Sequence, residues 1–236
     1  MSEIRVTYSG LITFVLGIIG IITGMILTII LTRSLTPAEY GTWGLITNII
    51  GYAIIIEPII SYWATRQIAR KNLVGKTAIF SSMTFSCGGI IIYILISYIF
   101  GYTTDANNSI LIFSVVLIPI IFLNKTLMAI IFGWKPHIAS YGMLVYGVIQ
   151  IPFSLLFVFY LDMGVSGIII STFIANTASV IIYAIYARNI IRNKIKIDYL
   201  KRWIKLSWLP LLYPGIYNIM TILDIAIFSL IIGSMA

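Results

Sequence analysis

Charged side chains are scarce in this sequence. Asp, Glu, Lys and Arg make up 9% of its 236 residues, hydrophobic residues make up 60%, and the mean hydropathy is +1.06. A soluble domain carries about 25% charged residues, and they cover its water-facing surface. With so few charges, lipid must be the solvent for most side chains. Because helices satisfy their own backbone hydrogen bonds within a bilayer, the composition indicates an all-α, polytopic membrane protein.

Cysteine and histidine each occur once, as Cys87 and His137. A single cysteine excludes an intrachain disulfide, and we interpret Cys87, which lies in an apolar run, as a packing residue. The sequence has no residues at metal-ligand spacing, no glycine-rich loop with a lysine to cradle phosphates, and no nucleophile beside a base. We therefore predict a protein that is not an enzyme and that needs no metal or cofactor.

Long apolar stretches dominate what is present. A membrane helix needs about 20 apolar residues, and the first stretch is too long for a signal peptide and lacks a cleavage site after it. Gly17, Gly20 and Gly24 form a stripe of small residues on this first stretch, which is predicted to let another helix approach closely. We predict about seven transmembrane helices, at about residues 8–31, 37–63, 78–101, 110–132, 140–161, 165–187 and 206–233.

The segment between the first two apolar stretches carries a helix-start signal. Thr36 is a preferred N-cap residue, Pro37 suits the first helical position, and Glu39 places an acid in the first turn. One helix is therefore predicted to end near Arg33 and the next to begin at Pro37, which gives a tight helical hairpin. A proline in the second stretch, Pro58, predicts a kink there.

Basic residues are distributed unequally between the alternate connections. Thirteen of the fifteen bases fall on one side of the predicted membrane, and Lys125 falls within a span. Arg33 alone lies on the other side, with Glu39, Asp105 and Asp162. By the positive-inside rule, this predicts a multi-pass plasma-membrane protein with a cytoplasmic N-terminus. The pattern also accounts for the net charge of +8 without nucleic acid as a partner.

The most basic stretch, residues 188–205, holds seven of these bases against one acid, Asp198. A second basic connector is predicted at residues 64–77, with four bases and no acid. Trp203 and Trp208 flank the return of the chain to the membrane, as aromatic residues do at membrane interfaces. The composition of 188–205 favours an amphipathic helix that lies along the membrane surface.

Ionisable residues inside predicted spans are costly in lipid and by default indicate a functional site. Glu57 lies in the second span, roughly 9 Å inside its predicted boundary at Trp63, Lys125 lies in the fourth, and Asp224 lies in the seventh. Structural interpretations stay open for each of them. Lys125 can snorkel to the interface, Glu57 can be wetted near the surface or pair with an arginine, and Asp224 can cap or pair structurally.

Several short motifs follow one another in a characteristic order. They are LTPAEYG at residues 35–41, RQIAR at 66–70, LDMGVSGIIIST at 161–172, the basic connector, and a seventh span with Leu209-Pro210 early and Asp224 late. In this order the sequence resembles polysaccharide and lipid-linked oligosaccharide flippases of the multidrug/oligosaccharidyl-lipid/polysaccharide (MOP) exporter superfamily. The resemblance covers nearly the whole chain.

The resemblance implies the N-terminal lobe of a MATE-like transporter, with two lobes around a central cavity. Residues 1–187 are then a six-helix transmembrane lobe, 188–205 a basic cytoplasmic connector, and 206–236 the first helix of an incomplete second lobe. We expect the chain to be an N-terminal piece of a longer protein or a truncated reading frame. Its expected partners are the missing C-terminal lobe, membrane lipids and a lipid-linked sugar.

The function implied by the resemblance is a flippase that moves a lipid-linked sugar by alternating access, so that its diphosphate and sugars cross the bilayer without touching lipid. Arg33 and Lys125 are the candidates for contact with this substrate, and Glu57 and Asp224 for ion pairing or cation coupling. None of the four is carried over as an established family site.

Other functions stay open. A multidrug or cation exporter of the same superfamily has the same architecture, and acids rather than bases would suit its cavity. A complete seven-helix receptor-like protein is less consistent with the predicted cytoplasmic N-terminus. A retinal protein would need a lysine in the seventh span, where none occurs. A membrane glycosyltransferase would need an acid-rich loop at the membrane face, and the acids outside the spans are scattered.

Overall fold

The computed structural model describes residues 6–103, 108–208 and 210–212. These residues form α-helices without a β-strand, as the composition predicts. A 3-10 turn at Ser114–Val116 precedes α6, and a π-helical segment at Leu155–Tyr160 follows α7. The helices are α1 (Val6–Ser34), α2 (Pro37–Ala53), α3 (Glu57–Ala69), α4 (Gly75–Thr103), α5 (Asn108–Phe113), α6 (Leu117–Trp134), α7 (Pro136–Ser154), α8 (Gly164–Ile191) and α9 (Ile197–Lys205).

Six membrane spans fit the described residues, in the order that the sequence predicts. Five are single helical stretches long and apolar enough to cross a bilayer, and the sixth is the bent pair of α2 and α3. The seventh predicted span, which carries Asp224, lies outside the described residues except at its start. The described part is therefore an all-α membrane bundle, with α9 as a short additional helix after the sixth span.

The predicted hairpin between α1 and α2 is confirmed. Thr36 is the N-cap of α2, and its hydroxyl accepts a hydrogen bond from the Glu39 backbone N–H at 3.3 Å. The Glu39 carboxylate in turn accepts the Thr36 backbone N–H at 2.9 Å. Two backbone donors at the helix start are thus satisfied reciprocally, and Pro37 occupies a position whose N–H would have no partner.

The predicted kink at Pro58 is also confirmed. α2 ends at Ala53, α3 begins at Glu57, and the two helices meet at an angle of 57°. Pro58 has no N–H to donate to the carbonyl of Ile54, and its ring would clash with that carbonyl in a continuous helix. The break places Glu57 in the first turn of α3, in the middle of the span.

The predicted ends of the basic connectors are wrong. The helix of the second span continues to Ala69, so Arg66 lies on α3 and only residues 70–74 separate it from α4. Similarly, α8 continues to Ile191, into the segment assigned to the connector 188–205. The sequence boundaries followed the loss of apolar character, whereas a helix continues through polar residues at the interface until its backbone is capped or redirected. After α3, the backbone is redirected at Lys71, which has a φ of 63°.

Two large clusters of buried side chains hold the bundle together. One joins α3, α4, α6, α7, α8 and α9, and the other joins α2, α4, α5, α6 and α8. Of the three helices in both clusters, α6 and α8 pack most extensively on each other. By contrast, α1 has few buried side chains and packs mainly along α7. The central pair of α6 and α8 therefore positions the remaining helices and the grooves between them.

Candidate functional site

An open groove of about 710 Å³ runs between α3 and α6. It brings together two of the residues predicted from the sequence, Glu57 and Lys125. It also contains a base that the sequence analysis had assigned to a connector, Arg66. The lining is completed by Ser61, Tyr62, Thr65, Ala69, Met128, Ala129 and Phe132.

Hydroxyl groups of α3 fix its register against α6. The Thr65 hydroxyl donates to the carbonyl of Ala129 at 3.0 Å, and the Ser61 hydroxyl lies 3.4 Å from the carbonyl of Lys125. Gly133 lets the backbones meet, because a Cβ at this position would lie 2.6 Å from the carbonyl oxygen of Thr65. Along the groove the two helices therefore pair at intervals of one helical turn, Ser61 with Lys125 and Thr65 with Ala129.

Glu57 is almost fully buried, with 4% of its surface exposed. Its carboxylate accepts a short hydrogen bond from the Ser61 hydroxyl one turn along α3, and the charge of Lys125 acts on it from α6. Glu57 lies about 18 Å from the end of α3 at Ala69, twice the depth that the sequence boundary at Trp63 predicted. Its depth and burial therefore argue against the structural interpretation that Glu57 is wetted near the surface.

Lys125 is exposed in the groove at a depth of about 13 Å from the end of α6 at Trp134. At this depth an amine that faced lipid would be expensive, whereas one that faces a wet cavity is free to bind an anion. Lys125 and Glu57 are the two predicted site residues that the structure places in one site.

Arg66 lies one turn from the end of α3 and is held by two aromatic neighbours. Its guanidinium donates to the Tyr62 hydroxyl at 3.2 Å, and it lies over the ring of Trp63 at 5.6 Å. Cation–π contact and the hydrogen bond both orient the fork of donors at the mouth of the groove. The sequence analysis missed this role because it ended the span at Trp63, although the spacing of Arg66, Tyr62 and Trp63 on a helix could have revealed it.

Of the other two predicted site residues, one lies away from this groove and one lies outside the described residues. Arg33 is exposed in the last turn of α1, beside the turn that leads to α2, and is not among the groove residues. Asp224 lies outside the described residues, so its assignment to ion pairing or cation coupling stays a prediction.

A second cavity, of about 400 Å³, lies among α1, α6, α7 and α8 and is lined by uncharged polar groups. The Asn124 amide donates to the Asn176 side-chain oxygen at 2.9 Å, and the Gln150 amide donates to the Thr172 hydroxyl at 3.2 Å. Asn176 also donates to the Thr172 carbonyl at 2.8 Å. These groups were not predicted as a site, because single amides in apolar runs carry no charge that would mark them.

The glycine stripe on α1 lines this second cavity. Among the described residues, a Cβ at Gly17, Gly20 or Gly24 would meet nothing within 4 Å, so no described helix makes the predicted close approach to the stripe. The close contact between α1 and α7 instead involves Gly147, where a Cβ would lie 2.7 Å from the Thr23 hydroxyl. The small residues of α1 therefore leave open space, and the small residue that permits packing belongs to α7.

Among the described residues, no group of three or more His, Cys, Asp and Glu side chains could hold a metal ion. The chemistry of the α3–α6 groove is that of binding: two bases, one buried carboxylate and several hydroxyls lie at membrane depth.

The fold is that of the N-terminal lobe of MATE transporters, which belong to the MOP superfamily. A MOP superfamily transporter from Pyrococcus furiosus aligns with a TM-score of 0.69 and 16% identity, and the match covers 93% of this chain and 53% of that chain. An outward-facing multidrug resistance MATE family transporter aligns with a TM-score of 0.68 and 17% identity, covering 93% and 53%. The MATE transporter ClbM in complex with Rb⁺ aligns with a TM-score of 0.66 and 14% identity, covering 89% and 52%.

The chain thus spans about half the length of the solved structures it resembles. No protein-family model matches the sequence, and no curated protein matches it. At this level of identity the likeness shows only the fold of the chain, which is that of the N-terminal lobe.

Proposed function

We propose that this chain is the N-terminal lobe of a flippase that moves a lipid-linked oligosaccharide or polysaccharide precursor across the cell membrane by alternating access. The observation that carries the proposal is the α3–α6 groove, in which Arg66 at the mouth and Lys125 at membrane depth lie along one path, with Glu57 as the one acid among its described residues. A path of bases with hydroxyl groups between them suits the diphosphate of such a substrate.

The groove is expected to face the second lobe rather than lipid. Lys125 is exposed about 13 Å from the end of its helix, and a charged side chain at such depth is unfavourable against hydrocarbon. In this proposal a second lobe encloses the groove, which is consistent with a chain that spans about half of the similar transporters. The groove then forms one wall of a central cavity.

In this proposal each groove residue has a separate task. Arg66, oriented by Tyr62 and Trp63, meets the substrate phosphates at the mouth, and Lys125 meets them deeper in the membrane. Glu57 offsets the charge of Lys125 when the substrate is absent. When the substrate binds, Lys125 exchanges Glu57 for the phosphate. This exchange of partners gives the cavity a weak, multi-site path along which an anion can move.

A multidrug or cation exporter is the second candidate, and buried Glu57 favours it, because a carboxylate in a cavity attracts cations. The similar structures include a multidrug resistance transporter and a transporter described by the reverse polarity of its binding pocket. The fold accommodates both functions, so the charges of the groove decide between them.

The test is transport by the complete two-lobe protein in membrane vesicles, with Lys125→Gln as the main variant. Loss of one charge-assisted hydrogen bond to phosphate removes about 2 kcal/mol, so transport of a lipid-linked sugar at low substrate concentration is expected to fall at least about tenfold. Lys125→Arg retains the charge and is expected to retain most of the activity. Lys76→Gln removes an exposed base outside the groove and serves as the matched control.

The outcomes separate the two candidates. Loss of sugar transport in Lys125→Gln but not in Lys76→Gln supports the flippase. Unchanged sugar transport in Lys125→Gln contradicts it. Export of a cationic dye that Glu57→Gln abolishes and Lys125→Gln leaves intact would assign the lobe to a cation exporter instead.

A further inference from the structure

The short helix α9 lies at the end of the bundle where the chain leaves its sixth span. Its Trp203 side chain is 1% exposed and belongs to the same buried cluster as Ile68 of α3, Val74 and Ile190. Just before α9, the Lys196 backbone N–H donates to the Thr77 hydroxyl of α4 at 3.0 Å. These contacts fix α9 at the level where α3 ends and α4 begins, which is the level of the membrane surface.

The segment around α9 carries an exposed layer of positive charge. All seven of its bases are exposed, whereas its one acid is Asp198 in the first turn of α9. Three further exposed bases lie on the adjacent turn between α3 and α4. The ten exposed bases are Arg70, Lys71, Lys76, Arg188, Arg192, Lys194, Lys196, Lys201, Arg202 and Lys205.

Exposed apolar side chains lie directly beside these bases. Ile197 and Ile204 lie on one face of α9 at 59% and 49% exposure, with Lys201 between them one helical turn from Ile197. This face is separate from the one that carries buried Trp203. Trp208, just beyond the helix, is also 59% exposed. This helix packs one apolar face against its own bundle and exposes a second apolar face that is bordered by lysines. Such a helix is suited to the interface plane of a bilayer.

We propose that α9 and the bases around it form a docking surface for the anionic phospholipid headgroups of the leaflet on which they lie. Ile197 and Ile204 enter the headgroup region, while Lys201, Arg202 and Lys205 contact the lipid phosphates. Charge complementarity selects this occupant, because ten exposed bases against one acid repel a basic partner and attract an anionic one, whereas a neutral partner would leave their charges unpaired. Exposed isoleucines between lysines suit a lipid interface better than a water-exposed nucleic acid. The proposal does not depend on which substrate the transporter carries.

The experiment compares the purified full chain in nanodiscs of phosphatidylcholine alone with nanodiscs that also contain phosphatidylglycerol. Backbone hydrogen exchange over residues 197–205 is expected to be slower with phosphatidylglycerol. The variant Lys201→Gln with Arg202→Gln and Lys205→Gln is expected to lose this difference. Each base near an anionic surface contributes roughly fivefold to binding, so the triple variant should weaken phosphatidylglycerol retention by at least about fivefold.

Two controls distinguish charge from packing. Lys201→Arg with Lys205→Arg keeps the charges and should preserve the phosphatidylglycerol effect. Exchange over α6 reports on folding and should be the same for every variant. Equal protection of residues 197–205 in both nanodiscs would overturn the proposal and indicate that protein covers the helix. A full response in the triple glutamine variant, or its loss in the arginine variant, would also overturn it.

Discussion

At the scale of single residues, the closest contacts between helices occur at glycines, which have no side chain. Gly142 of α7 lies against the ring of Tyr183 of α8, and a Cβ there would overlap the ring. Tyr183 cannot easily move, because it is 1% exposed and its hydroxyl donates to the Ala139 carbonyl at 2.8 Å. The close pairing of α7 and α8 therefore depends on a missing methyl group.

Gly142→Ala is expected to destabilise the protein by about 1–3 kcal/mol, because the added methyl must displace a buried, hydrogen-bonded ring. Gly17→Ala is the matched control, since a Cβ at Gly17 would meet open space and alanine favours a helix. Thermal unfolding in detergent measures both. Equal unfolding temperatures for Gly142→Ala and the unchanged protein would contradict the packing argument.

Single residues also show what the sequence could and could not predict about the site. Glu57 and Lys125 stand out because charges in apolar runs are rare, and the structure places them in one groove. Arg66 was hidden because it follows the point at which apolar character ends, although its helix continues. Asn124 and Asn176 meet across α6 and α8, and no feature of either local sequence indicates this partner.

At the scale of elements, the start of α2 and the break at Pro58 were predicted, whereas two other irregular segments were not. The capping signal at Thr36 has a local chemical cause and was found at the predicted residue. The 3-10 turn at Ser114–Val116 precedes Pro119, which has no N–H for the carbonyl of Val115, yet the fourth span was predicted as one helix. The π-helical segment Leu155–Tyr160 follows Pro152 and was not predicted.

The cap of α2 provides a test at this scale. Thr36→Ala removes the side-chain acceptor for the Glu39 N–H and is expected to cost about 1 kcal/mol of stability. Amide exchange in the first turn of α2 should accelerate by roughly fivefold if that turn opens locally. Thr42→Ala is the control on the same helix, because its hydroxyl bonds only to the Ala38 carbonyl within the helix. Exchange that is equally fast in both variants would argue against the capping box.

At the scale of the whole molecule, composition predicted the fold class because a chain with so few charges can form a stable structure only in lipid. The lengths of the apolar stretches alone predicted the order of the spans, and the two-lobe architecture was inferred from the resemblance. Its N-terminal lobe fold is confirmed by the similar transporters. What composition could not give is which helices meet, since apolar runs of similar length and content are interchangeable until they pack. The central position of α6 and α8 is a result of their packing.

The orientation in the membrane is the remaining prediction at this scale, and it rests on the distribution of charge. Arg33 is the only base beside the turn between α1 and α2, whereas ten exposed bases lie at the other end of the bundle, on α9 and where α3 leads into α4 and α8 leads into α9. The positive-inside rule and the attraction of bases to anionic lipid predict that these bases lie on the cytoplasmic side of the membrane. In a Cys87→Ser background, which removes the exposed native thiol, a cysteine at Ser34 is expected to react with an impermeant thiol reagent added outside intact cells. A cysteine at Asn193 is expected to react only after the membrane is opened. Labelling of Asn193 but not Ser34 in intact cells would reverse the orientation, and α9 would then face the outer leaflet.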